Sequence, residues 1–353
     1  MSVDFDRPVR IAVVGLGYWG PNLARNVQDI EEAELVALCD MRPGVLETFG
    51  RRYPAAATHA DFESLLARSD VDAVVIATPV GTHFPLASAA LRAGKHVFVE
   101  KPLAASADEA ALLIDIADQR DLVVMPGHTF LYSPPVLLIR DLIASGELGE
   151  IYFISMSRVN LGLHQSDVSV VWDLGPHDFS ILRYWLDATP SQVSAFSRGC
   201  IIPSMPDVAF INLEFPGSTI AHVELSWLAP SKLRRTTIVG SSKMVVYDDT
   251  SIEPVRIFDS GVNFPNPDGF GEHRLSYRTG DIVSPSVAAS EPLRAELQDF
   301  CAAVRDGGVP RSSALLGYEV IRMVEAVDQS LCDRGARVEL VAPRAASAVA
   351  AVA

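Results

Sequence analysis

The chain has 353 residues, 49% hydrophobic and 21% charged, with a formal net charge of −15. That length exceeds one ordinary core and predicts two domains, and the composition is that of a globular chain, not a disordered one. The negative balance argues against nucleic acid and against an anionic membrane surface, both of which are held through cationic contacts. A nucleotide-linked small molecule stays open, because a few basic residues can dominate one pocket. No apolar run approaches the ~20 residues a membrane helix needs. The opening MSVDFDRPVR lacks the basic and apolar regions of a signal peptide. Cys39, Cys200, Cys301 and Cys332 show neither metal-ligand nor disulfide spacing, so a reducing cytoplasm is the expected setting.

Val9 to Val14 predicts a buried strand that runs directly into Gly15-Leu16-Gly17-Tyr18-Trp19-Gly20, and a helical pattern follows from Pro21 to Gln28. A bare GxGxxG is weak evidence, but strand, glycine turn and helix together are the context in which it cradles a dinucleotide. The first glycine makes the turn, the second lets a pyrophosphate approach, and the third lets helix pack on strand. A second apolar run, Glu34 to Cys39, ends at Asp40, placed where such folds bind the adenosine ribose hydroxyls. A carboxylate there repels a 2′-phosphate and favours NAD. Arg42 could receive that phosphate, so NADP stays open. The plain structural alternative for Asp40 is an Asx turn.

Helices are predicted over Pro43 to Arg52 and, after an Asp61 cap, to Ala67. DAVVIATP (Asp72 to Pro79) reads as a strand. His83 opens a helix to Arg92, and HVFVE (His96 to Glu100) is the next strand, followed by Lys101-Pro102. Ser106 and Glu109 form a capping box ahead of a helix to about Arg120, and Leu122 to Met125 is one more strand. Strands alternating with helices imply a doubly wound parallel sheet, an α/β Rossmann domain over residues 1–127.

The pattern changes beyond Gly127. Helices are expected at Pro134 to Ala144, Val171 to Leu186, Leu293 to Arg305 and Ala314 to Leu331. Polar–apolar alternation at Glu150 to Asn160 and in several segments from Ser191 to Phe258 predicts antiparallel strands. Asp259 to Glu291, rich in Gly, Pro and Ser, reads as a loop, and the Ala-rich stretch 342–353 as a frayed tail. Residues 128–341 are thus expected to form an α+β domain on an open, mainly antiparallel sheet. One face of such a sheet needs a cover, most economically a second copy of the chain.

Three places combine reactive side chains with suitable local structure. Lys101 follows a parallel strand at the carboxyl edge, where open α/β sheets bind ligands; elsewhere a lysine after a strand is an ordinary surface residue. In WDLGPHD, Asp173 and His177 are four apart and share one face of a helix, so the carboxylate can orient the imidazole. The plain alternative is a helix cap and a partly buried histidine. Asp178 points away from His177 and is left out. Thr78, Pro79 and His83 lie on the carboxyl edge as candidate cofactor contacts. His128 is either a substrate contact or structural, and His164, His222 and His273 have no partners at recognisable spacing. No metal-ligand cluster, GxSxG elbow or Walker loop appears.

Together VVGLGYWGPN, the stretch DAVVIATPVGTHFPLASAALRAGKHVFVEKPLA, WDLGPHD and EPLRAELQDF resemble the glucose–fructose oxidoreductase / inositol dehydrogenase / rhizopine catabolism (Gfo/Idh/MocA) family, from about Val9 to about Val338. The resemblance implies catalytic roles for Lys101, Asp173 and His177. It places a cofactor against Gly15, Gly17, Tyr18, Trp19, Gly20, Asp40, Arg42, Thr78, Pro79, His83, Glu100 and Lys101. Arg158, Asn160 and Trp172 are candidates to line the substrate site beside Lys101, Asp173 and His177. Val80 stands where many members have Asn. GYWGPN, RVNLG, WDLGPHD and Tyr277 to Leu293 look like the nucleotide-sugar branch, which includes 3-dehydrogenases and 3-ketoreductases. The family's open sheet implies a homodimer or homotetramer. The expected activity is NAD(P)-dependent hydride transfer at a ring carbon of a nucleotide-linked sugar. The rivals are a free-sugar or inositol dehydrogenase and a non-catalytic nucleotide-binding sensor, the latter disfavoured by retention of all three catalytic residues.

Overall fold

The computed structural model describes residues 7–162, 168–263 and 275–340. His164, His273 and the Ala-rich stretch 342–353 lie outside them. The chain divides into two compact units that interleave in sequence. One comprises Met1–Arg140, Phe179–Ile181 and Val287–Arg322, and the other Asp141–Asp178, Leu182–Ser286 and Met323–Ala353.

In the first unit β1 (Val9–Val14), β2 (Ala33–Cys39), β3 (Ala57–His59), β4 (Ala73–Ile76), β5 (His96–Glu100) and β6 (Val124–Gly127) pair in parallel, in the order β3-β2-β1-β4-β5-β6. The order reverses between β1 and β4, the position where open α/β sheets bind ligands at their carboxyl ends. Ile11, Ala12 and Val13 and all of Ala73 to Ile76 are fully buried, so these strands are continuously apolar instead of alternating. The intervening helices are α1 (Gly20–Asp29), α2 (Pro43–Arg52), α3 (Phe62–Leu66), α4 (His83–Arg92) and α5 (Ala107–Asp118). Asp61 caps α3 by accepting from the Ser64 N–H at 2.8 Å. Ser106 caps α5 by accepting from Glu109 N–H at 3.2 Å, while Glu109 reaches back to Ala105 N–H at 3.1 Å.

In the second unit the end of α6 (Pro134–Ala144) leads to β7 (Ile151–Leu161) and then to α7 (Val170–Leu186). There follow β8 (Gln192–Arg198), β9 (Val208–Glu214), β10 (Ile220–Ser226), β11 (Leu228–Gly240), β12 (Met244–Asp248), β13 (Val255–Asn263), β14 (Ser276–Val283) and β15 (Val338–Glu339). With β7 they form one sheet, ordered β14-β13-β12-β11-β7-β10-β9-β8-β15. β10 runs parallel to β7, and the other described pairs are antiparallel. Alternation is clean: Ala209, Ile211 and Leu213 of β9 are buried, whereas Phe210 and Asn212 are exposed. On the packed side Trp185 of α7 meets Tyr247 of β12 edge-on at 6.5 Å.

One expectation is corrected. Asp259 to Glu291 is not simply a loop, because β13 extends to Asn263 and pairs with β14, with Val262 opposite Tyr277 and Gly261 opposite Arg278. β14 is an exposed edge strand, so it carries no apolar alternation that would mark it in sequence.

The chain rejoins the first unit through α8 (Pro292–Asp306) and the first part of α9 (Ala314–Cys332). α8 turns Leu293, Leu297, Phe300 and Cys301 inward, and Phe300 meets Phe98 edge-on at 5.8 Å. Glu291, just ahead of α8, accepts from Arg25 and, at 3.0 Å, from Asn26 of α1.

Candidate active site

Gly15 leaves β1 with φ +87°, and a methyl added there would lie 2.6 Å from the Ala77 carbonyl oxygen, so only glycine fits. A methyl on Gly20 would collide with the Gly15 carbonyl oxygen, which lets α1 start hard against the turn. Gly17 is the opposite case. Nothing lies within 4 Å of its added methyl, so the turn opens to solvent at the position where a pyrophosphate approaches. Tyr18 and Trp19 flank this opening, are exposed, and meet edge-on at 6.0 Å. Asp40, at the end of β2, is buried and accepts the Leu16 N–H at 2.8 Å, which ties the acid to the turn. Among the described residues its other side-chain partners come from Arg42: the backbone N–H at 2.9 Å, an Asx-turn bond, and Nε and Nη2 at 2.9 and 2.8 Å. The Arg42 guanidinium and these N–H groups hold the Asp40 carboxyl down at about 2. Closed glycines around an open one, with an ionised carboxylate two residues before an exposed arginine, fit a dinucleotide.

At the carboxyl ends of β4 and β5, His83 is buried and its ring spans two strand exits. Nδ1 lies 2.8 Å from the Pro102 oxygen and Nε2 2.8 Å from the Thr78 oxygen. Two carbonyls favour a ring protonated on both nitrogens, whereas burial favours the neutral form. Burial dominates and lowers the pKa. His83 therefore braces Thr78 and Pro102 from behind. Lys101 is half-buried at the exit of β5, between the buried Glu100 and a cis peptide to Pro102. Burial raises the Glu100 carboxyl to about 7. His128 follows β6, whose Gly127 pairs with Glu100, and burial pushes its imidazole down to about 3. Pro79 and Val80 form the short turn between β4 and α4, where Thr82 donates to the Pro79 oxygen at 2.7 Å.

In the second unit Asp173 and His177 lie half-buried along α7, one turn apart on one face. Asp173 accepts from the indole Nε1 of Trp227 at 3.1 Å. Trp172 donates its own Nε1 to Asp328 of α9 at 2.6 Å. Arg158 of β7 is buried and gives Nε and Nη2 to both oxygens of Asp178, at 2.8 and 2.9 Å. Two residues expected at a substrate thus also anchor α7, Arg158 through Asp178 and Trp172 through Asp328. Asn160 is half-buried near the end of β7.

Trp227 and Asp178 were missed in sequence. For Asp178 a signal exists: Ile154, Met156 and Arg158 fall on one buried face of β7, and a buried arginine demands an anion. Trp227 carries no such signal, since its partner is set by sheet register.

A parallel sheet of this order, a glycine turn of this shape and an acid tied to it are the features of a dinucleotide-binding domain. The profile of the GFO/IDH/MocA oxidoreductase family, described as having an NAD-binding Rossmann fold, matches residues 9–128, and that of the GFO/IDH/MocA C-terminal domain matches residues 136–246. The chain belongs to this family, and it is an NAD(P)-dependent oxidoreductase. It is 28% identical over 339 residues to a dTDP-3,4-didehydro-2,6-dideoxy-alpha-D-glucose 3-reductase of Saccharopolyspora spinosa, covering 92% of this chain and 98% of that one. It is 29% identical over 204 residues to an inositol 2-dehydrogenase of Rhizobium meliloti, covering 56% of this chain and 61% of that one. Its fold matches that of a UDP-N-acetylglucosamine 3-dehydrogenase from Acidithiobacillus ferrooxidans with a TM-score of 0.77, at 23% identity, over 92% of this chain and 98% of that one.

Proposed function

We propose that the protein interconverts a hydroxyl and a ketone at C3 of a nucleotide-linked sugar. When bound, the nicotinamide cofactor supplies or takes up the hydride. His177 moves the hydroxyl proton, Asp173 orients its ring, and Lys101 stabilises the negative charge that develops on the reacting oxygen. Gly15 to Gly20, Asp40 and Arg42 hold the dinucleotide, with Tyr18, Trp19, Thr78, Pro79 and Glu100 along the same edge of their sheet and His83 bracing it. Arg158, Asn160 and Trp172 support the substrate side of the second unit. The observation that carries the proposal is the pair Asp173 and His177 on one face of α7, with Asp173 held by an indole N–H.

The substrate class is supported by the nearly full-length match to a dTDP-sugar 3-reductase. The partial match to an inositol 2-dehydrogenase supports a second reading, oxidation of a free polyol. Turnover of dTDP- and UDP-sugars against free sugars and inositols decides between them, and preference for the free polyols sinks the first. His177→Ala and Lys101→Ala are expected to lower kcat by 100-fold or more; near wild-type rates in both would remove the mechanism.

The outer face of the second unit's sheet supports an oligomer. Phe153, Phe196, Phe210 and Ile220 stand exposed on it, and a second copy of the chain is the economical cover. Among the described residues no helix is long and apolar enough to cross a membrane, and the four cysteines are free. Both suit a metabolic enzyme of the cytoplasm.

A further inference from the structure

Trp227 lies at the junction of β10 and β11, in a segment to which sequence assigns no chemistry, yet everything about it is fixed. The residue is 1% exposed. Its backbone N–H donates to the Asp207 oxygen at 2.9 Å, and its carbonyl accepts from Gly162 N–H at 3.0 Å. Gly162 also makes room for the ring. A methyl there would stand 3.1 Å from Trp227 Cδ1 and 3.2 Å from Asn160 Oδ1, so a side chain at residue 162 would crowd both. The indole edge that carries Nε1 is thereby held toward α7, where it meets Asp173 Oδ2 at 3.1 Å.

An indole is a donor only, with a single N–H in the ring plane. Pinned at its backbone and along its edge, it offers Asp173 one direction in which to accept. Asp173 lies in the first turn of α7, and His177 follows one turn later on the same face. The helix itself is anchored beside them, by Arg158 to Asp178 and by Trp172 to Asp328. These bonds set where α7 lies. The Trp227 N–H reaches the Asp173 carboxylate itself.

We infer that Trp227 is a positioning residue for the Asp173–His177 pair, its N–H fixing the carboxylate in the rotamer that orients the imidazole. The inference rests on the proposed roles of Asp173 and His177. With Trp227 in place the carboxylate favours the protonated ring, and without the N–H it is held less firmly in that rotamer and the support weakens. Charged and titratable groups on the elements around the pair include Arg158 of β7, Asp178 and Arg183 of α7 with Asp187 at its end, His222 and Glu224 of β10, and Arg322, Glu325 and Asp328 of α9, and all remain when only the indole is changed.

Trp227→Phe removes the donor and keeps an aromatic ring. The His177 imidazole, assigned with His177→Ala and titrated by heteronuclear NMR, is expected to fall in pKa by about half a pH unit or more. In sugar turnover kcat is expected to fall about tenfold or more while the KM for the nicotinamide cofactor changes less than twofold. The effect on the His177 titration is expected to vanish when Asp173→Ala is already present, because the proposed route runs through that carboxylate. An unmoved or raised His177 titration overturns the inference, as does a shift of full size in the Asp173→Ala background. The NMR readout does not depend on the reaction. Loss of the proton-transfer proposal, shown by an active His177→Ala enzyme, is therefore separable from loss of this one.

Discussion

Arg42 closes on Asp40 with two prongs, Nε to one carboxylate oxygen at 2.9 Å and Nη2 to the other at 2.8 Å. The arginine is exposed while the acid is buried, so Arg42 can swing out and Asp40 cannot. On the proposed cofactor site, a ribose diol reaching Asp40 would displace Arg42, and a 2′-phosphate would meet both a repelling carboxylate and a guanidinium already engaged. Asp40→Ala is expected to weaken NAD binding by about 10-fold or more, the loss of bonds to a charged acceptor, and to strengthen NADP binding. Calorimetric titration with each dinucleotide checks the opposite signs. The acid's contribution to stability is present above its unfolded pKa and is lost as pH falls toward about 2.

The Arg158–Asp178 pair is buried on both sides, so breaking it leaves a charge without its counter-ion. Asp178→Ala is expected to cost about 3–5 kcal/mol in urea unfolding. Replacing both partners together, Arg158→Met with Asp178→Leu, is expected to cost less than the single change. A double variant no better than the single one would show that the charges are not what matters.

Glu296 of α8 is fully buried, and burial raises its carboxyl well above the ordinary range, with the Glu100 charge adding to the rise. Thr129 donates to its Oε2 at 2.6 Å. A carboxyl raised on folding is stabilising below its unfolded pKa, about 4.3, and loses that advantage as pH rises toward its folded value. Glu296→Gln stays neutral throughout. Its Tm is expected to gain on wild type as pH rises above the unfolded carboxylate pKa, and a difference that stays constant with pH would contradict the shift.

Phe196 of β8 and Phe210 of β9 are direct cross-strand neighbours on the outer sheet face, and His222 stacks on Phe210 at 6.5 Å. Phe210→Glu is expected to reduce the particle mass in light scattering while NAD affinity in the other unit is unchanged. An unaltered mass would show that this face carries no association between copies of the chain.

Much of the fold is legible because its signals are local. The turn from Gly15 to Gly20 requires glycine for reasons contained within a few residues and one neighbouring strand. Apolar β1 and β4 show as runs because both of their faces are buried. Asp173 and His177 are visible because helical spacing places them together. What escapes is decided by register between distant segments. Trp227 meets Asp173 across 54 positions of sequence. Arg42 is legible as an arginine near an acid, but whether it closes on the acid or stands open depends on how β2 ends. β14 escapes for another reason, because an exposed edge strand has no buried face to pattern.

The return of the chain to its first unit has a consequence for synthesis. α8 covers part of a sheet whose last strand ends at Gly127, with Phe300 against Phe98 and Glu296 under Thr129. Ribosomes add about 5–20 residues per second, so some ten to thirty seconds pass between emergence of the sheet and emergence of its helix. During that time Phe98 has no Phe300 to meet. A nascent Rossmann unit is therefore without the contacts of α8 until residues 292–306 have left the tunnel. Truncation after Gly127 would make that state permanent.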